Sequence, residues 1–164
     1  MTPFDYDRFG SAFVDMRLHR LRVLITEQSD ELFRERGIEA SSAAASVLLL
    51  LLERQHASIT QIADALGYSH QLINHRLKQL ESLGQITRIT DTRDRRKWLV
   101  KLTAKGRTEA QKVAETLPLI ASAFDALFER AGVNLSSALE EARAELAATP
   151  LTTRLQSQKK QKRA

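Results

Sequence analysis

Between Ser69 and Leu83 the chain sets His70, Gln71, Asn74, His75 and Lys78 on the helical face opposite Ile73, Leu77 and Leu80. The amides of Asn and Gln donate and accept at once, matching N6 and N7 of adenine, and one such bidentate pair discriminates against a wrong base by roughly 1–3 kcal/mol. Gln71, Asn74 and His75 are therefore the candidates for base contact. Ser69, His70, Arg76 and Lys78 are candidates for backbone phosphates, whose contacts set position and salt dependence. A second cluster, Arg93, Arg95, Arg96 and Lys97, puts four positive charges into five residues, the type of side chain that a narrow minor groove attracts. Asp91 and Asp94 can pair with Arg93 or Arg96, a structural role; the expectation is that one arginine is held in this way and another, Arg95 or Arg93, reaches DNA.

These residues need elements to hold them. Ser58-Ile59-Thr60-Gln61 has capping-box spacing and opens a helix over Ile59 to Leu66 that Gly67 closes. Ser69 caps the next helix, whose buried stripe is Ile73, Leu77, Leu80 and Leu83 and whose stop is Gly84. Two helices joined through Gly67-Tyr68-Ser69 make a helix-turn-helix. Two extended runs follow, residues 85–90 and 97–102, around the charged tip 91–96, and predict a hairpin. Trp98 is assigned to packing there.

Upstream, Asp7 to Arg36 reads as one long helix with two apolar stripes, one through Val14, Leu18, Leu21, Ile25 and Leu32 and one through Phe9, Phe13 and Met16. Gly37 ends it, and a second helix from Ala40-Ser41-Ser42 to Arg54 is apolar all round over Val47 to Leu52, so it belongs in the core. Downstream, Thr103 caps a helix whose Val113, Leu117, Ile120, Phe124 and Leu127 keep helical spacing. Pro118 inside that pattern predicts a kink or a break with a restart. A last amphipathic helix covers about 136–148 with Leu139 and Leu146.

The fold class that results is mainly α with a small β-hairpin wing. It is a winged helix-turn-helix over 41–107, joined to a helical region formed by 7–36 and 108–148 whose apolar stripes want further partners, all within one domain of residues 1–150. Residues 151–164 are expected to be a disordered basic tail.

Charge agrees with this placement. The net charge is +5, and residues 151–164 carry five basic and no acidic side chain, so the remainder is neutral. Within that neutral remainder, residues 70–107 hold ten basic and three acidic groups, the concentrated patch of a protein that docks a polyanion in one place.

Other chemistries find no residues to carry them. There is no Cys, which excludes disulfides and thiolate ligands. No Gly-rich phosphate cradle, nucleophile elbow or paired carboxylates in an acid/base setting are present, so no catalytic residue and no cofactor are assigned. Of the four histidines, 19, 56, 70 and 75, His70 and His75 lie on the groove-facing surface with no carboxylate at ligand spacing beside them, and no metal site is assigned. The N-terminal residues lack the basic start and apolar run of a signal peptide, and the most apolar stretch, 43–52, is too short for a bilayer. A cytoplasmic protein with no membrane partner is the expectation.

The run from Ser58 to Gly106 resembles the multiple-antibiotic-resistance regulator (MarR) family. The resemblance rests on residues 62–69, on 77–84, and above all on the D-x-R-D-x-R wing at 91–96 with Leu102-Thr103-Ala104-Lys105-Gly106 after it. It departs from the family pattern at Leu72, where a small polar residue is usual, and at Pro118. The resemblance implies a homodimer held by the first and last helices, bound to a pseudo-palindromic operator in double-stranded DNA, usually as a repressor. It also implies release by a small amphipathic or aromatic effector; His19 on the first helix is the weak candidate for lining such a site, a surface role being the commoner one for a lone histidine. The family's thiol-based sensing is closed to a chain without cysteine. Two other readings stay open: an architectural, non-specific DNA binder, and a winged helix used for protein partners.

Overall fold

The computed structural model describes residues 5–91 and 98–161. The chain falls into two compact units, Met1–Pro118 and Leu119–Ala164, with the boundary inside a helix.

In the first unit, the expected long N-terminal helix is interrupted. Asp7–Phe13 forms a tight 3-10 segment, broken at Gly10 (φ 57°, ψ −129°), and the α-helix α1 runs only over Val14–Glu35. Its end is tied by the Ile38 N–H donating to the Phe33 carbonyl at 2.8 Å, and Phe33 and Ile38 are both buried beside it. Helix α2 (Ala45–Arg54) supplies the centre of the core: Val47, Leu48 and Leu51 are buried. Also buried are Ile62 of α3 (Ile59–Leu66), Ile73, Leu77 and Leu80 of α4 (His70–Ser82), and Ala110 and Val113 of α5 (Ala104–Ala131).

The predicted hairpin is present as β2 (Ile86–Thr90) against β3 (Trp98–Leu102), antiparallel, with Ile86 opposite Leu102 and Thr90 opposite Trp98. A third strand that the sequence does not announce, β1 (His56–Ala57), pairs with the other edge of β3 through Lys101 and Val100, so the sheet order is β1-β3-β2. Val100 and Leu102 turn inward to the core.

Helix α5 continues unbroken through Pro118, so there is no restart. The proline costs one backbone hydrogen bond, to the carbonyl four residues back, and at Pro118 the helix simply does without it. In the second unit, α6 (Leu135–Ala148) is capped by the Asn134 side chain, which accepts from the Ser137 N–H at 3.0 Å. The expected disordered tail is instead helical over Leu151–Gln161, here α7. The segment has neither Gly nor a further Pro after Pro150, and Arg154 clamps its start by donating to the Thr149 and Glu145 carbonyls and to the Glu145 carboxylate. The basic side chains from Lys159 onward lie outside the described residues. None of residues 119–157 is buried. Among the described residues, no helix is long and apolar enough to cross a membrane.

Candidate nucleic-acid interface

The helix-turn-helix is fixed locally at both of its starts. At α3 the capping box is complete: the Gln61 N–H donates to Ser58 Oγ at 3.2 Å, and the Ser58 N–H donates to Gln61 Oε1 at 2.8 Å. Gly67 takes the left-handed conformation (φ 66°, ψ 30°) that ends α3 and turns the chain within three residues, a position where an L side chain would be strained. At α4, Ser69 Oγ accepts from the Leu72 N–H at 3.2 Å. The Ser69 side chain thus serves the cap, and the residue stays exposed.

Gln71, His75 and Lys78 are exposed on α4, together with His70. Asn74 is half-buried, and its Nδ2 donates one of its two hydrogens to the His70 carbonyl at 2.9 Å. Arg76 does not lie where the phosphate assignment needs it. It is 9% exposed, and its guanidinium carbon stands 4.1 Å from the centroid of the Tyr68 ring. Its Nε and Nη1 are buried with no hydrogen-bond partner among the described residues. The reason is angular: position 76 falls beside Ile73, Leu77 and Leu80 on the inner flank of the helix, and a helical side chain leans toward the N-terminus, which carries the cation back to Tyr68.

The wing meets α4 through Glu81, whose carboxylate lies 3.3 Å from Arg88 Nε across an exposed ion pair. Arg93, Asp94, Arg95, Arg96 and Lys97 lie outside the described residues. Asp91, at the described end of the wing, borders an open cleft of about 560 Å³ whose other walls are Ser58 to Gln61, Arg88, Trp98 and Leu99. Trp98 is 57% exposed there, which corrects its assignment to packing. As the first residue of β3 it lies beyond the reach of β1.

Behind the interface sits a buried carboxylate that sequence reasoning passed over. Glu109 on α5 is 3% exposed, and its Oε1 accepts from the backbone N–H groups of Glu39 and Ala40 and, at 3.2 Å, from Gln85 Nε2. Gln85 is fully buried, and its own backbone receives Thr103 and donates to Leu80. Thr103 Oγ1 donates to the Gly84 carbonyl at 2.8 Å and accepts from the Gly106 N–H at 3.0 Å. The end of α4, the root of the wing and the start of α5 are thereby bolted together. A glutamate one residue before buried Ala110 was the available signal. His19 is exposed on α1. Among the described residues, no group of three or more His, Asp or Glu could hold a metal ion.

Residues 37–97 match the model of the MarR family. The fold is similar to that of a cysteine-to-serine mutant of MarR from E. coli complexed with operator DNA: 20% identity, 82% of this chain and 97% of that one covered, TM-score 0.56. It is similar to the transcriptional regulator BldR from Sulfolobus solfataricus, at 23% identity over 82% of this chain and 95% of that one, TM-score 0.55. It is also similar to NadR in complex with 4-hydroxyphenylacetate, at 22% identity over 90% of this chain and 98% of that one, TM-score 0.54. No curated protein sequence matches the chain.

Proposed function

On the premise that residues 37–97 are a winged helix-turn-helix of the MarR family, we propose that this chain is a DNA-binding transcription regulator that reads a pseudo-palindromic operator as a homodimer and represses the gene beside it. The observation that carries the reading is the face of α4: Gln71, His75 and Lys78 stand exposed on a helix that is capped at Ser69 and packed by Ile73, Leu77 and Leu80. A rigid helix with a polar, donor-and-acceptor face is what entry into a major groove requires. Gln71, Asn74 and His75 contact bases, while Ser69, His70 and Lys78 hold phosphates. The wing cations Arg93, Arg95, Arg96 and Lys97 reach the minor groove, with Asp91 and Asp94 steadying them.

The dimer has support in side chains that the single chain leaves uncovered. Val14 and Leu18 on α1 are 53% and 40% exposed, and Leu127, Leu139 and Leu146 on α5 and α6 are 42%, 42% and 51% exposed. Two protomers joined through 7–36 and 108–148 would set their recognition helices one DNA turn apart, roughly 34–36 Å. A small aromatic or amphipathic ligand releases such a dimer if it binds better to a conformation with another spacing. That NadR, of similar fold, is in complex with 4-hydroxyphenylacetate favours a small aromatic compound as the ligand.

Fluorescence anisotropy on the DNA upstream of the chain's own gene and on a scrambled duplex, at two salt concentrations, tests the reading. Binding at least about a thousandfold tighter to the first supports a sequence-reading regulator. Equal and steeply salt-dependent binding to both favours an architectural protein, and no binding at low salt favours a protein-docking winged helix. Light scattering should give a mass twice that of the chain.

A further inference from the structure

Among the residues of α4 that face solvent, Leu72 alone is apolar. It lies in the first turn, 38% exposed, with its N–H held by Ser69 Oγ. The core has no use for it: Ile73, Leu77 and Leu80 are fully buried one face away. His75, three residues on, and Gln71 are its exposed neighbours. The flank it stands on is firm, because Arg76 stacks on Tyr68, a ring itself 40% exposed, and turns its charge inward. The helix edge beside the base-reading face is therefore apolar where it could have been polar.

The base edges in a major groove offer such a side chain one favourable partner. Cytosine, guanine and adenine present donors and acceptors, which a leucine would desolvate without pairing, whereas thymine presents its C5 methyl group. We propose that Leu72 is a specificity-determining residue that packs on a thymine methyl in each half-site. This rests on the DNA-binding reading above. Burying one methyl against one apolar side chain changes affinity about fourfold, hence about fifteenfold when both half-sites contribute.

The test uses the full chain and a duplex selected by it from a random pool. Each symmetric pair of thymines is replaced in turn by deoxyuridine, which deletes the methyl and nothing else, and affinity is measured for the parent and for Leu72→Ala. The expected result is one thymine pair whose replacement weakens the parent about fifteenfold and Leu72→Ala less than about twofold. Parent binding indifferent to every methyl overturns the proposal, as does a methyl effect that persists in Leu72→Ala. Both of those outcomes leave sequence-specific binding, and the regulator reading, intact. Failure to enrich any sequence overturns that reading together with the proposal. Because Leu72 is outside the core, equal melting temperatures of the two proteins confirm that both are folded.

Discussion

Gly106 lies so close to Gln85 that a β-carbon on it would stand 1.8 Å from the Gln85 carbonyl oxygen and 2.8 Å from the carbonyl carbon. Both atoms are backbone, at the junction of recognition helix and wing, and that backbone is held by Leu80 on one side and Thr103 on the other. Gly106→Ala should therefore destabilise the protein by about 2 kcal/mol or more, since nothing flexible can give way. Thermal unfolding followed by circular dichroism would register this as a fall of several degrees. An unchanged melting temperature would mean that α5 can shift away from the wing root at little cost.

Glu109 should be intolerant of truncation and more tolerant of its amide. Alanine strands the N–H groups of Glu39 and Ala40 and the amide of Gln85, a loss of about 3 kcal/mol. Glutamine keeps one oxygen for the same three donors, because all three converge on Oε1, and should cost only about 1 kcal/mol. Urea denaturation of the two variants checks the order. Equal losses would show that the negative charge, rather than the shared acceptor, holds the site.

Replacing Arg76 by Met should leave the protein more stable, by about 1 kcal/mol. The substitution removes two buried nitrogens that have no hydrogen-bond partner among the described residues and gives up the stack on Tyr68, and the first effect is the larger. A loss of stability instead would reveal an acceptor, such as an ordered water, at Nε or Nη1.

The sequence made this site readable where its physics is local. The capping box at Ser58 and Gln61, the turn at Gly67 and the cap at Ser69 depend on residues within three positions of one another, and the bounds of α3 and α4 follow from them. The exposed face of Gln71, His75 and Lys78 follows from helical period alone. Arg76 was misplaced because its position borders the two faces, and only the Tyr68 ring decides which it joins. β1 is two residues long, too short to show a period, and exists only because β3 has an edge to fill. Glu109 reads as a surface charge until Glu39, Ala40 and Gln85, up to 70 residues away in sequence, are brought to it. The helix α7 was missed because its polar composition suits solvated helix and coil alike, and the clamp of Arg154 on Glu145 tips the balance.

Gln71 and Lys78 should fail in different ways. Lys78→Ala should weaken binding to specific and scrambled duplexes alike and lower the slope of log affinity against log salt by about one, as expected for one lost phosphate contact. Gln71→Ala should weaken the specific duplex by roughly 1–3 kcal/mol and leave the scrambled one and the salt slope unchanged. Anisotropy titrations across four salt concentrations separate the two, and a salt slope that moves with Gln71 would exclude it from base reading.

The short strand β1 gives the wing a graded hold on the protein. Val100 and Lys101 of β3 have a neighbouring strand on each side, while Trp98 and Leu99 have only β2. In deuterium exchange, protection along this one strand should decline from its root to its outer rungs, because opening the outer rungs frees one ladder and opening the root frees two. The aim of the wing would then be kept at its root, beside the end of the recognition helix, while its outer rungs unzip and re-form to follow the width of the groove they meet.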